Sequence, residues 1–156
     1  MINGLRVLAV VPARGGSKGI HLKNLRKVNG IPLVAMVGAV IKGVPEIDSS
    51  IVSTDHEEIA SVAMNSGIRF PFFRPKELSG DQIGDLDVLT HALLEIELID
   101  KVTYDIIVML QPTSPLREAQ NVSDTIKMLV NRGWDAVWTL SETDSKSHPL
   151  KQLIIK

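Results

Sequence analysis

Short apolar runs alternate with longer stretches of helical periodicity along nearly the whole chain, and this alternation limits the architecture more than any other feature. Residues 7–11 are apolar throughout and have the length of a buried strand. Leu33, Met36, Val37, Val40 and Ile41 fall on one helix face, with Pro32 suited to its first turn. Residues 50–53 predict a second strand. Asp55 stands three before Glu58, the spacing of a capping box, ahead of a helix that runs to about Asn65 and is closed by Gly67. Residues 68–73 return to extended structure. Leu89, Ala92, Leu93 and Ile96 mark a third helix, and residues 105–110 carry the strongest strand signal. Val122, Ile126, Leu129 and Val130 form a last helix face, closed by Gly133, and residues 134–140 predict a further strand.

Strands alternating with helices in this way build β-α-β units, hence an α/β domain with a mainly parallel sheet and helices on both faces. No repeat, low-complexity tract or linker divides the chain, so residues 1–156 are expected to form a single domain. In such sheets ligands bind beyond the carboxyl ends of the strands. The segments to search are therefore 12–19, 54–55, 74–81, 111–117 and 141–151.

The first of these segments is the most informative. Arg14-Gly15-Gly16-Ser17-Lys18-Gly19 directly follows the first predicted strand. Its glycines permit a tight turn with several amides facing one point, a concavity that attracts anions. Arg14 contributes a planar fork and Lys18 a mobile point charge, two ways of holding phosphate. The spacing is not that of the ATP-binding P-loop, because Lys18 is followed by Gly19 and no glycine occupies the earlier required place. A G-x-G-x-x-G dinucleotide fingerprint is also absent.

Arg14–Gly19 is followed by Leu22-Lys23-Asn24, and four more motifs come in order after it. These are Val52-Ser53-Thr54-Asp55, Arg74-Pro75-Lys76-Glu77-Leu78-Ser79-Gly80-Asp81, Leu110-Gln111-Pro112-Thr113-Ser114-Pro115-Leu116-Arg117 and His148-Pro149-Leu150-Lys151. Together they resemble the acylneuraminate cytidylyltransferases, which activate sialic acids. The resemblance implies a Rossmann-like fold and the reaction of CTP with a nine-carbon acidic sugar to give a CMP-sugar and pyrophosphate. The acceptor it implies is a sialic acid or a related nonulosonic acid, legionaminic or pseudaminic.

Carried onto this sequence, the resemblance makes Arg14 and Lys18 catalytic. It places Arg14, Gly15, Gly16, Ser17, Lys18, Lys23, Asn24, Arg74 and Ser79 around the nucleotide, and Gln111 and Lys151 at the sugar. It also implies Mg²⁺ and a homodimer, with the metal ligands and the dimer segment expected beyond residue 156 and no metal ligand assigned here. The chain is thus expected to be a nucleotide-binding portion lacking its C-terminal part. The rival expectation is a module that binds CTP and catalyses nothing. One departure stands out: Gly19-Ile20 is followed by His21 where the family usually has proline, which removes a fixed φ but no charge.

Several candidates have plainer readings beside these. Asp55 serves as a helix cap on its spacing to Glu58, although it is also the best-placed carboxylate for a metal. Arg74 can pair with Glu77 or Asp81, Arg117 with Glu118 or an anion, and Ser114-Pro115 can cap and begin a helix. His56-Glu57 lacks the second histidine of a zinc-protease motif, since position 60 is alanine. No G-x-S-x-G element supports a serine hydrolase.

Composition excludes other classes. The formal net charge is -1 and aromatics make up 4% of the chain, so neither a basic field nor a stacking platform for nucleic acid is present. With no cysteine there is no disulfide framework or thiolate chemistry. The first residues lack a signal-peptide layout and no apolar run has membrane-spanning length, so a cytoplasmic location without membrane partners is expected.

Overall fold

The computed structural model describes residues 1–140. Strand β1 (Val7–Pro12) leads through a 3₁₀ turn at Lys23–Leu25 and a hairpin of β2 (Lys27–Val28) and β3 (Ile31–Pro32) into helix α1 (Leu33–Lys42). Strand β4 (Ser49–Ser53) and helix α2 (Glu57–Asn65) follow. After a 3₁₀ turn at Lys76–Leu78 come α3 (Asp85–Asp100), β5 (Ile106–Met109) and α4 (Ala119–Arg132).

The sheet is parallel, in the order β4-β1-β5. Arg69 extends it by one parallel bridge to Ile51 on the outer side of β4. Residues 7–11 of β1 are fully buried, and the pleat sends alternate side chains to opposite faces. Val7, Ala9 and Val11 pack with α1, α2 and α4, through Val34, Val37, Ile59, Ala63, Val122 and Ile126. Leu8 and Val10, with Ile51, meet Ala92 and Ile96 of α3 on the other face. Both faces of the sheet are therefore covered, as the alternation predicts.

Helix ends follow local chemistry. Past α2, Gly67 takes a φ of 96°, and its N–H donates to the Met64 carbonyl while that of Ile68 donates to Ala63. Gly133 closes α4 with the same pair of bonds, donating to Val130 while Trp134 donates to Leu129. The β2–β3 turn places Asn29 at φ 50° and Gly30 at φ 81°, the geometry that suits a two-residue hairpin. Behind the sheet, Glu46 is buried and accepts a hydrogen bond from Ser123 Oγ at 2.9 Å and pairs with Lys127 at 3.0 Å. Those contacts hold its carboxyl below the ordinary range despite the opposing effect of burial.

Three local expectations need correction. Asp55 does not cap α2; His56 occupies the N-cap and no side chain bonds there. Ser114-Pro115 lies in a turn closed by the Arg117 N–H to the Ser114 carbonyl, and α4 begins later behind a capping box of Glu118 and Asn121. Residues 134–140 form no strand, because an apolar run becomes one only when a neighbour pairs with it. Trp138 and Leu140 are instead exposed. Among the described residues no helix is long and apolar enough to cross a membrane.

Candidate functional site

Two of the segments beyond the carboxyl edge of the sheet, 54–55 and 74–81, converge on the glycine loop after β1. The loop is seated first by backbone: the Ala13 N–H donates to the Ser53 carbonyl at 2.9 Å. Asn24, buried under the loop, donates from Nδ2 to the Arg14 carbonyl at 3.0 Å. The Gly15 N–H donates to Asp55 Oδ1 at 2.7 Å, and the Ser17 N–H folds back onto the Gly15 carbonyl at 2.9 Å. Two of the loop's amides are thus engaged. Those of Gly16 and Lys18 have no acceptor among the described residues.

Gly15 has a steric reason to be glycine. A Cβ at this position would stand 2.9 Å from His56 Cδ2 and 3.0 Å from His56 Cβ. The turn between β4 and α2 fills that space, and His56 N–H donates to Thr54 Oγ1 at 3.2 Å within it. Arg74 anchors the same turn. Its guanidinium is buried, donates from Nε to Ser53 Oγ at 3.0 Å and from Nη2 to the Ser53 carbonyl, and its N–H donates to the Thr54 carbonyl at 2.8 Å. It pairs with neither Glu77 nor Asp81. Burial lowers the Arg74 pKa, opposed by the negative charges of Asp55 and Asp85 and reinforced by Arg14.

The cations of the loop meet an anion supplied by the chain itself. Arg14 Nη1 lies 2.7 Å from Asp81 Oδ1, and Lys18 Nζ lies 2.6 Å from Asp81 Oδ2. Arg14 Nη1 also reaches the Ser79 carbonyl at 3.4 Å, while Ser79 Oγ donates to the Pro75 carbonyl. Lys18, then Arg14, lower the pKa of Asp81 by hydrogen bonding to its ionised form. Lys18 remains 77% exposed, so the pairing is open to solvent and to ions. Half-buried Lys23 makes no ion pair among the described residues.

The remaining predicted residues stand apart from this cluster. Gln111, just past β5, donates from Nε2 to Asp85 Oδ2 at the start of α3, at 3.3 Å. Arg117 Nη2 donates to the Gln111 carbonyl at 3.1 Å; the Glu118 pairing is not formed. Burial lowers the Arg117 pKa, and its Nη1 is buried without a partner. Lys151 and its motif lie outside the described residues.

The Mg²⁺ implied by the resemblance can be tested against these side chains. Hard divalent cations need free oxygen ligands. The two carboxylates beside the loop are both engaged, Asp55 by the Gly15 amide and Asp81 by two cations. No group of three or more candidate ligands exists among the described residues. The residues described do not fit the ion on their own.

Sequence reasoning missed Asp81 as the partner of Arg14 and Lys18, and Asp55 as the partner of Gly15. No local signal marks either, because each contact joins segments far apart in the chain.

A family model described as cytidylyltransferase matches residues 8–153. The chain is 33% identical over 124 residues to the CMP-N,N'-diacetyllegionaminic acid synthase of Legionella pneumophila, covering 80% of this chain and 53% of that protein. It is 33% identical over 134 residues to N-acylneuraminate cytidylyltransferase A of Danio rerio, covering 86% of this chain and 30% of the relative. Among solved structures, CMP:2-keto-3-deoxy-manno-octonic acid synthetase complexed with CTP superposes with a TM-score of 0.65 at 22% identity, over 82% of this chain and 48% of that one. The chain therefore spans about half or less of the length of these relatives.

Proposed function

This chain belongs to the cytidylyltransferase family, and on that premise we propose that it is the CTP-binding part of an enzyme that transfers CMP to a nonulosonic acid. One observation carries the reading: Arg14 and Lys18 converge on a single carboxylate at the carboxyl edge of the sheet. Two cations gripping one anion beside free backbone amides form a site that a triphosphate can enter by displacing that anion.

In the reaction, the sugar's hydroxyl oxygen attacks the α-phosphorus of CTP. The new O–P bond forms as the bond between the α-phosphorus and the oxygen of the β-phosphate breaks, pyrophosphate departs with that oxygen, and the hydroxyl's proton passes to solvent water. Such transfers depend on positioning and charge stabilisation more than on covalent catalysis. Arg14 and Lys18 stabilise charge growing on the triphosphate, aided by the amides of Gly16 and Lys18 and by Lys23 as a third cation. Gly15 lets the loop lie flat against His56, with Ser17 turning it and Asn24 holding it from beneath. Arg74 and Ser79 border the cytidine side. Gln111 and Lys151 are assigned to the acceptor, which is a sialic or legionaminic acid by the names of the relatives. The same reading makes the enzyme cytoplasmic and homodimeric.

Calorimetry with CTP, ATP, GTP and UTP tests the assignment. CTP is expected to bind best, and Arg14→Ala to weaken it by about tenfold or more, the worth of a charge-assisted hydrogen bond, with the melting temperature little changed. A preference for ATP would overturn the nucleotide assignment. An Arg14→Ala protein that unfolds, while its folded fraction keeps full affinity, would make Arg14 structural.

A further inference from the structure

We propose that Asp55 is the positioning residue of the glycine loop: its carboxylate holds the Gly15 amide and thereby aims Arg14 and the free Gly16 amide at the triphosphate. The proposal rests on the nucleotide-site reading above and assigns Asp55 a role in neither capping nor metal binding. Its hydrogen bond to Gly15 is 2.7 Å long and has an ionised acceptor, the stronger kind. The same Arg14–Gly15 peptide is gripped at its other end by Asn24, whose Nδ2 donates to the Arg14 carbonyl at 3.0 Å. His56 closes the remaining space beside Gly15.

Asp55 in turn stands on a fixed shelf. Buried Arg74 ties down Ser53 and Thr54, and the Ser53 carbonyl also receives the Ala13 N–H. The residue before the loop and the residue within it are therefore both referenced to one turn. A carboxylate beside a phosphate site carries an electrostatic penalty against the ligand's charge. Its place there makes sense if the geometry it imposes outweighs that repulsion. Asparagine would keep the acceptor oxygen and remove the repulsion.

Calorimetry of the full chain with CTP and with CMP, each with and without Mg²⁺, tests this together with the exchange rate of the Gly15 amide. Asp55→Ala should weaken CTP binding by about tenfold while changing CMP binding less than about threefold, since CMP lacks the outer phosphates. Asp55→Asn should bind CTP at least as well as the unaltered chain to within about threefold, and Gly15 exchange should accelerate in the alanine variant alone. Should Asp55→Ala fail to fold, Asp55→Glu, whose carboxylate lies one methylene further out, should show the same CTP-selective loss. Unchanged CTP affinity in the alanine variant, or in the glutamate variant where alanine does not fold, overturns the proposal. So does an asparagine variant as weak as alanine, which would make the charge and not the hydrogen bond the agent. A loss seen only with Mg²⁺ would make Asp55 a metal ligand. If the unaltered chain binds no CTP while Gly15 exchange still depends on Asp55, the nucleotide reading fails and the grip on the loop stands.

Discussion

Asp81 occupies the two cations that a triphosphate would need, so ligand entry is an exchange of anions. The carboxylate is held by hydrogen bonds from Lys18 and Arg14 that depress its pKa, and the engagement is released only as pH falls through that lowered value. In an exposed pair the grip is weak and screened by salt. Asp81→Asn should therefore tighten CTP binding by roughly twofold to fivefold at low ionic strength, with the difference fading as salt is added. Titrations at two salt concentrations would check this. Weaker binding in the asparagine variant would show that Asp81 holds Arg14 and Lys18 in place for the ligand. Neither Asp81 nor Asp55 could be assigned from the sequence, and the reason is physical. Asp55 followed by Glu58 reads locally as a capping box, and only the approach of Gly15 in the loop after β1 gives its carboxylate a better partner.

At the scale of elements, the features legible in advance were those fixed by neighbours in sequence. Continuous apolar side chains identify β1, the helical spacing of Leu33 through Ile41 identifies α1, and Gly67 and Gly133 mark helix ends that need positive φ. Residues 134–140 are also largely apolar, broken by Asp135 and Thr139, yet pairing is a property of two segments and no single run contains it. The short β2–β3 hairpin had a usable signal in Asn29-Gly30, but its strands are too brief to show alternation. Helix α3 is tied to the outer side of β4 by Arg69, which donates to both oxygens of Asp100 at 2.8 and 2.7 Å. Tyr104 donates to the same carboxylate at 2.8 Å. The Arg69 hydrogen bonds hold the Asp100 pKa below the ordinary carboxylate value. A group so depressed contributes stability that is present above its unfolded pKa and lost as pH falls through the folded one. Because Arg69 is 46% exposed, the contribution is no more than about 1 kcal/mol. Thermal melts from about pH 7 down to about pH 3 should show the unaltered chain losing stability steadily on the acid side. Asp100→Asn should start lower and lose less over that range. Parallel curves would mean that Asp100 contributes nothing to the acid transition.

Taken whole, the chain presents a cationic loop, its shelf and its anion exchange, but the carboxylates near them are already engaged. Attack on the α-phosphate brings anionic oxygens together, and cations must offset that repulsion. Arg14 and Lys18 offset part of it. With Asp55 held by the Gly15 amide and Asp81 by the two cations, residues 1–156 on their own are expected to bind CTP and turn it over slowly. Pyrophosphate release with CTP, Mg²⁺ and N-acetylneuraminate should run well below about 1 s⁻¹, the lower end of ordinary enzymatic rates. A rate at or above that value would show that these residues suffice for catalysis.

The central place of β1 has a consequence in time. Leu8 pairs with Ser49 on one side and with Ile107 on the other, so the earliest strand to be synthesised is bordered by two that come much later. Until residue 109 exists, one edge of the most apolar segment stands open. Closing it requires joining ends separated by most of the described chain, a slow step in topologies dominated by distant pairings. During that interval the nascent strand is a template for wrong partners, and the cell must shelter it from them.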